Sequence, residues 1–180
     1  MNLNPPLNPA SYPTVIRVAD CPPQPWKNGG GITRELLAHP SAADWVLRIS
    51  VADITQDGAF SSFAGITRSF AVIEGAGVAL VFGGESLQRL EKRVTPASDP
   101  LIFDGANAPY CRLIQGSTRD LNLMHRAGHP AALVCAYGGQ RLWARGFFNQ
   151  SEQTLLWFDA ACLIDAPSAT AGERVGWWVV

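Results

Sequence analysis

Short runs of alternating apolar and polar residues recur about every ten residues, with glycine or proline in most of the gaps. No segment carries a sustained helical period, and a turn near Ala42 is the nearest approach to one. These two observations predict an all-β protein, a barrel or a sandwich. A third sets its scale. Apolar residues make up 47% of the 180-residue sequence and charged residues only 16%, so the chain can bury one large interior or two small ones that share a core. About a dozen strands suit two small barrels better than one.

Residues 1–13 carry four prolines and are expected as an extended tail. Thr14–Val18 is the first short strand. Cys21-Pro22-Pro23-Gln24-Pro25 stiffens the approach to Trp26, because proline fixes φ and cannot donate to a ladder. Then comes the oddest stretch, Trp26-Lys27-Asn28-Gly29-Gly30-Gly31-Ile32-Thr33-Arg34-Glu35. Asn-Gly marks a hairpin turn, and the strand Ile32–Ala38 follows it. Successive glycine amides could also form an anion-binding concavity, with Lys27 and Arg34 supplying charge. Alternation sets Thr33, Glu35 and Leu37 on one face of that strand and Ile32, Arg34 and Leu36 on the other.

Trp45–Ile54 is the cleanest strand. Trp45, Leu47, Ile49 and Val51 share one face; Val46, Arg48, Ser50 and Ala52 share the other. In a half-buried sheet Arg48 faces water, and in a barrel with a cavity it faces a ligand. Gly58–Gly65 is an aromatic loop. Arg68–Glu74 and Val78–Phe82 form a hairpin about Gly75-Ala76-Gly77, closed by Gly83-Gly84. Leu87–Val94, Pro100–Asp104 and Tyr110–Gln115 are further strands. Arg119–His125 repeats the pattern of Arg48: Leu121 and Leu123 point one way, Asp120, Asn122 and Met124 the other. Ala131–Tyr137, Arg141–Arg145, Thr154–Asp159 and Glu173–Val180 complete the set, with Phe147-Phe148-Asn149-Gln150 expected as a connector. Trp177 and Trp178 must point to opposite faces, one of them toward an interface or pocket rim.

Several function classes are disfavoured. A net charge of −1 with no basic stripe argues against nucleic acid and anionic membrane surfaces. No apolar run reaches the length of a membrane span, and the N-terminus lacks the pattern of a secretory signal. Cys21, Cys111, Cys135 and Cys162 form no C-x-x-C and are expected reduced, which points to the cytoplasm. The glycine stretch lacks the spacing of a phosphate loop or a dinucleotide fold. His125 and His129 are four apart, a separation that on a strand spans about 13 Å, so no metal site is expected. No nucleophile motif is present. Glu35, Glu74 and Asp120 are the candidate acid-base groups if they lie in a cavity.

The stretch Trp26-Lys27-Asn28-Gly29-Gly30-Gly31-x-Thr33-Arg34-Glu35-Leu36 resembles the signature of the HutD family, which also includes the Ves proteins. The likeness continues through Trp45-x-x-Arg48-x-Ser50-x-Ala52, Gly58-x-Phe60-Ser61-x-Phe63-x-Gly65-x-x-Arg68, the turn glycines Gly75 and Gly77, Phe103-x-Gly105 and Asp120-x-Asn122-x-Met124. The resemblance implies a bicupin: two small antiparallel β-barrels of jelly-roll type in one chain, expected at 14–105 and 106–180 with strands open to sharing. It implies a metal-free regulator of histidine utilisation that holds a small carboxylated metabolite, such as N-formylglutamate or urocanate. No cofactor and no catalytic residue is expected, and the cupin metal pattern Gly-x5-His-x-His is absent. A homodimer is compatible with the chain.

A carboxylated ligand needs a cation and directed donors in a dry cavity. The expected ligand contacts are Lys27, Asn28, Thr33, Arg34, Glu35, Arg48, Ser50, Ser61, Phe63, Asp120, Asn122 and Met124, with Arg48 as the carboxylate clamp. Asp120 is alternatively the partner of Arg34 or Arg48. Two rival readings stand beside this one. One is an isomerase or hydrolase of a small acid with Glu35 or Asp120 as base. The other is a scaffold that binds protein through exposed aromatics.

Overall fold

The structure is a computed structural model that describes residues 12–83, 89–170 and 172–180. Most of the expected tail lies outside the described residues, as do Gly84 and Leu87. The described part is all-β, built from three antiparallel sheets.

A six-stranded sheet runs in the order β2 (Pro23–Pro25), β3 (Gly31–His39), β4 (Leu47–Ile54), β11 (Thr118–Arg126), β6 (Ile66–Glu74) and β9 (Leu101–Asp104). A four-stranded sheet follows the order β5 (Gly58–Ala59), β10 (Tyr110–Leu113), β7 (Val78–Phe82) and β8 (Leu90–Val94). The five-stranded sheet is β1 (Thr14–Arg17), β14 (Thr154–Asp165), β13 (Arg141–Asn149), β15 (Arg174–Val179) and β12 (Leu133–Tyr137). Strands cross between the two halves of the sequence: β1 pairs with β14, and β11 sits between β4 and β6. Among the described residues no helix is long and apolar enough to cross a membrane.

Three buried clusters follow from strand alternation. Leu47, Ile49 and Val51 of β4 join Leu121 and Leu123 of β11 in a core shared with Phe148, Trp157 and Trp177 of the five-stranded sheet. The other face of the six-stranded sheet gives Ile54, Phe70 and Val72 to a second core with Val78 and Leu80 of the four-stranded sheet. The far face of the five-stranded sheet carries a third, around Phe147, Trp178 and Ile164.

This double burial corrects two expectations. Phe147, Phe148 and Asn149 belong to β13 rather than to a connector, because that strand packs on both faces and reads as a continuous apolar run. Trp177 and Trp178 do point to opposite faces, but neither reaches a rim; both are fully buried in separate cores. Ala42 lies in a bend, with no helical turn. Two strands escaped the sequence. β2 is flanked by prolines, which a sheet tolerates at an edge, and β5 is only two residues long.

Side chains tie the sheets together. Arg174 of β15 donates to the carbonyls of Pro96 and Ser98 at 2.7 and 2.9 Å. Gln150 Nε2 donates to the Ile73 carbonyl at 2.8 Å.

The glycine stretch is the β2–β3 turn. Gly29 has φ 72°, a left-handed conformation that disfavours any Cβ. Gly31 is needed for a different reason: a Cβ there would run into the Asp53 carbonyl oxygen and press on the Trp26 ring. Two of the amides are already spent, Gly29 N–H on the Trp26 carbonyl (3.0 Å) and Gly30 N–H on Asn28 Oδ1 (3.0 Å). The turn is therefore held by its own hydrogen bonds and does not offer these amides as an anion-binding concavity.

Gly31→Ala should cost at least about 2 kcal/mol, because the clash is with backbone of the neighbouring strand, and Gly29→Ala about 1 kcal/mol. Denaturant midpoints of the two variants check this; a larger loss for Gly29→Ala would contradict the assignment.

Candidate functional site

A cavity of about 600 Å³ opens on the face of the six-stranded sheet opposite the shared core, beside β5. Its floor is three adjacent strands. Register aligns Arg48, Met124 and Arg68 in one row across β4, β11 and β6. Ser50, Asn122 and Phe70 make the next row, and Ala52, Asp120 and Val72 the third. Period two does the rest: Arg48, Ser50, Ala52, Arg68, Asp120, Asn122 and Met124 turn to the cavity, while Phe70 and Val72 on the same face pack into the second core. The rim comes from the glycine turn (Trp26, Lys27, Asn28) and from the aromatic loop (Ala59, Phe60, Ser61, Phe63).

Ten of the twelve expected ligand contacts line this cavity: Lys27, Asn28, Thr33, Arg48, Ser50, Ser61, Phe63, Asp120, Asn122 and Met124. Arg34 and Glu35 do not. Arg34 turns to the opposite face of β3 and pairs with Asp53 at 3.0 Å. There Asp53 also takes Arg119, Nε to Oδ1 at 2.5 Å. Burial would raise the Asp53 carboxyl, but hydrogen bonds from Arg119 and Arg34 outweigh that and hold it below its ordinary range.

Glu35 acts at one remove. Its Oε2 lies 2.6 Å from Arg48 Nε. The contact is close but poorly aligned, and the Arg48 Nε–H, buried, makes no hydrogen bond among the described residues. Glu35 thus holds the guanidinium in place without saturating it. A bulge between Glu35 and Leu37 shifts the register of β3 against β4 beside this pair. The Thr33 hydroxyl is engaged by Trp26, whose Nε1–H donates to it at 2.7 Å.

Sequence reasoning left Arg68 out of the expected contacts. It is only 4% exposed, and burial lowers its guanidinium to about 10, still cationic at neutral pH. Its charge is supported on three sides. Arg68 Nε donates to Asn122 Oδ1 at 3.3 Å. The rings of Phe60 and Phe103 lie 4.9 and 5.1 Å from its Cζ. Asp120 lies near enough to favour the charge. The available signal was a single cation on the same face as Phe70 and Val72, at the head of an apolar run.

Asp120 pairs with neither Arg34 nor Arg48. Asn122 Nδ2 donates to its Oδ1 at 3.1 Å, so Asn122 bridges Arg68 and Asp120. Asp120 is 1% exposed. Burial pushes its carboxyl up to about 7, against the opposing pull of Arg68 and Asn122. The cavity is therefore lined by two arginines, Lys27 at its rim, the Asn122 amide and a carboxyl raised to about 7. Among the described residues no cluster of three histidine, cysteine or acidic side chains is placed to hold a metal ion.

Because the folded carboxyl of Asp120 sits above its unfolded value of 3.8, its contribution to stability is full below pH 4. It is then lost as pH rises toward 7. At about 1.4 kcal/mol per unit, Asp120→Asn should gain on the wild type by up to about 4 kcal/mol between pH 4 and 8. Denaturant unfolding across that range measures the difference, and parallel curves would contradict it.

The comparisons with known proteins bear on the same segments. The HutD family profile matches residues 18–173. An uncharacterised 21.2 kDa protein in the hutC 3′ region of Pseudomonas putida is 32% identical over 166 residues, covering 89% of this chain and 80% of that one. Protein Ves of Citrobacter koseri is 35% identical over 111 residues, 61% of this chain and 56% of its own. Among solved structures, HutD from Pseudomonas fluorescens SBW25, in a formate condition, superposes with a TM-score of 0.71 at 30% identity. That match covers 93% of this chain and 97% of the other. A conserved protein of unknown function from Pseudomonas aeruginosa PAO1 gives 0.67 at 27% identity, covering 94% and 93%. The matched span includes every strand that builds the cavity floor, and on that ground this chain belongs to the HutD family.

Proposed function

We propose that the protein is a metal-free receptor for a small carboxylated metabolite and a regulator of histidine utilisation. The observation that carries the reading is the cavity wall on which Arg48 and Arg68 flank Met124, with Ser50 and Asn122 in the next row. Strands lie about 4.8 Å apart, so the two guanidinium-bearing positions are about 10 Å apart across β11. Arg68 is committed to Asn122 and two aromatic rings. Arg48, whose Nε is paired with Glu35 at 2.6 Å but outside hydrogen-bond geometry, is the clamp for the ligand's carboxylate, and binding competes with that pair. N-formylglutamate and urocanate are candidates of suitable chemistry, and the hutC region of the Pseudomonas putida relative supports the pathway.

The same reading takes the chain as two cupin-type barrels, residues 14–105 and 106–180, that exchange β1, β10 and β11. The separate buried clusters on either side of the shared core support it. The cytoplasm is its compartment, where four free cysteines stay reduced.

One observation favours a second reading. A buried carboxyl that titrates near 7 inside a cavity is suited to proton transfer, so Asp120 would serve as the acid-base group of an enzyme acting on a small acid. Turnover of N-formylglutamate or urocanate that is present in the wild type and lost in Asp120→Asn would favour it.

The receptor reading is tested by thermal unfolding with formate, N-formylglutamate and urocanate. Ligand at a hundred times its Kd stabilises by about 2.7 kcal/mol. The wild type should melt higher with at least one of these acids. Arg48→Ala should unfold at nearly the wild-type temperature without ligand and show no ligand shift. Equal shifts in both proteins would remove Arg48 from the clamp role.

A further inference from the structure

A second cleft, of about 410 Å³, opens on the opposite side of the shared core, where the ends of β3 and β4 meet the five-stranded sheet. Its chemistry differs from that of the first. The ionisable side chains that line it are His39, His129 and Arg145, with no acidic side chain among them. Pro40 and Val179 supply apolar wall, and Trp157 the aromatic base.

Arg145 owes its position to an irregularity in the ladder. Ala144 pairs with Cys162 and Gly146 with Trp157, so one residue of β13 stands opposite four of β14, residues 158–161. Such a break re-aims a side chain, and breaks of this kind gather beside functional sites. Here the guanidinium is laid over Trp157, with Cζ 4.7 Å from the ring centroid. One amino group donates to the Asp159 carbonyl at 2.8 Å. Nε is buried and makes no hydrogen bond, and among the described residues no carboxylate, that of Val180 included, forms an ion pair with Arg145.

A cation held by a ring and one carbonyl, with a buried donor left over, is poorly satisfied. Arg34 and Arg119 share Asp53, and Arg68 has Asn122; Arg174 also leaves a buried Nε unpaired, but backbone carbonyls of three residues, Pro96, Ala97 and Ser98, surround its amino groups where Arg145 has one. At Arg145 the missing partner is an acceptor with negative charge, and the two imidazoles beside it are further donors. The apolar walls require the rest of that partner to be hydrocarbon.

We infer that this cleft is a second ligand site, for a small organic oxyanion clamped by Arg145, with its apolar body between Pro40 and Val179. The inference does not rest on the reading of the first cavity. Carboxylates and phosphate monoesters share the necessary chemistry.

Benzoate, phenyl phosphate and inorganic phosphate are the probes, followed by ¹H–¹⁵N correlation spectra of the wild type, Arg48→Ala and Arg145→Gln. Benzoate or phenyl phosphate should shift the Trp157 indole N–H saturably in the wild type and in Arg48→Ala. In Arg145→Gln its affinity should fall at least tenfold. Whichever of the two binds more tightly distinguishes carboxylate from phosphate. Inorganic phosphate that binds as tightly as both would overturn the organic part of the assignment. So would shifts confined to Trp26, which lines the first cavity, or an unchanged affinity in Arg145→Gln. If Arg145→Gln does not fold, Arg145→Lys keeps the charge and loses the fork. A tenfold weaker Trp157 shift then supports the site, and an equal one overturns it. Loss of formate-type binding in Arg48→Ala with this cleft unaffected would separate the two sites.

Discussion

The central constraint is the position of β11. It is hydrogen-bonded on both sides, to β4 and to β6, and its two faces meet opposite environments. Leu121 and Leu123 are wholly buried in the core shared between sheets. Asp120, Asn122 and Met124 line a cavity. A period of two leaves no freedom in this division, and a slip of one residue would put a carboxylate into hydrocarbon and two leucines into the cavity. The polar wall is thus positioned by the same apolar contacts that hold the molecule together. Because those contacts come from the middle of a sheet, the wall is stiffer than a loop could make it.

Polarity on that wall is costly, and its arrangement shows how the cost is contained. Arg68 and Asp120 are both almost without solvent. A bare ion pair at this depth would gain less from attraction than it loses in hydration. Asn122 stands between them, accepting from one and donating to the other. Two aromatic faces take up part of the guanidinium's charge. The chain of contacts ends on a carboxyl that burial leaves able to hold a proton near pH 7. Arg48, by contrast, is held by Glu35 in a contact of poor alignment. One cation of the wall is hydrogen-bonded within it, and the other is paired with Glu35 outside hydrogen-bond geometry.

Much of this was legible in the sequence because strand alternation is local. Arg48 and Ser50 against Leu47 and Ile49, and Asp120 and Asn122 against Leu121 and Leu123, can be assigned to faces without knowing the fold. What failed was non-local. Arg34 and Glu35 lie beside a bulge and next to acidic and basic partners 19 and 13 residues away in sequence, Asp53 and Arg48. Nothing local shows that the partners capture them. Arg68 precedes a run of core residues and looks like an edge charge until β9 and the aromatic loop bring Phe103 and Phe60 over it. Phe147 and Phe148 read as a connector because a strand buried on both faces loses its alternation. The prolines of β2 hid a strand that exists only as the edge of a sheet whose other members lie elsewhere in the chain.

The two cavities sit on either side of one core, and their charges are treated differently. Around the first, every cation except Lys27 at the rim has a named internal contact, so an acid drawn to Arg48 would compete with Glu35 for it. Around the second, Arg145 is supported by a ring and one carbonyl. Leu47 and Trp157 line the second cleft and also belong to the shared core, into which the inner face of β4 packs. Arg48, on the outer face of β4, follows Leu47 directly. A ligand that tightened Trp157 against that core would therefore act on the strand that carries Arg48. Whether the sites communicate depends on whether β4 has two arrangements, since packed cores switch between discrete states and do not deform continuously. The bulge in β3 beside Arg48 is where a second arrangement would be least costly, because a register already broken there can shift without loss of a regular ladder pair.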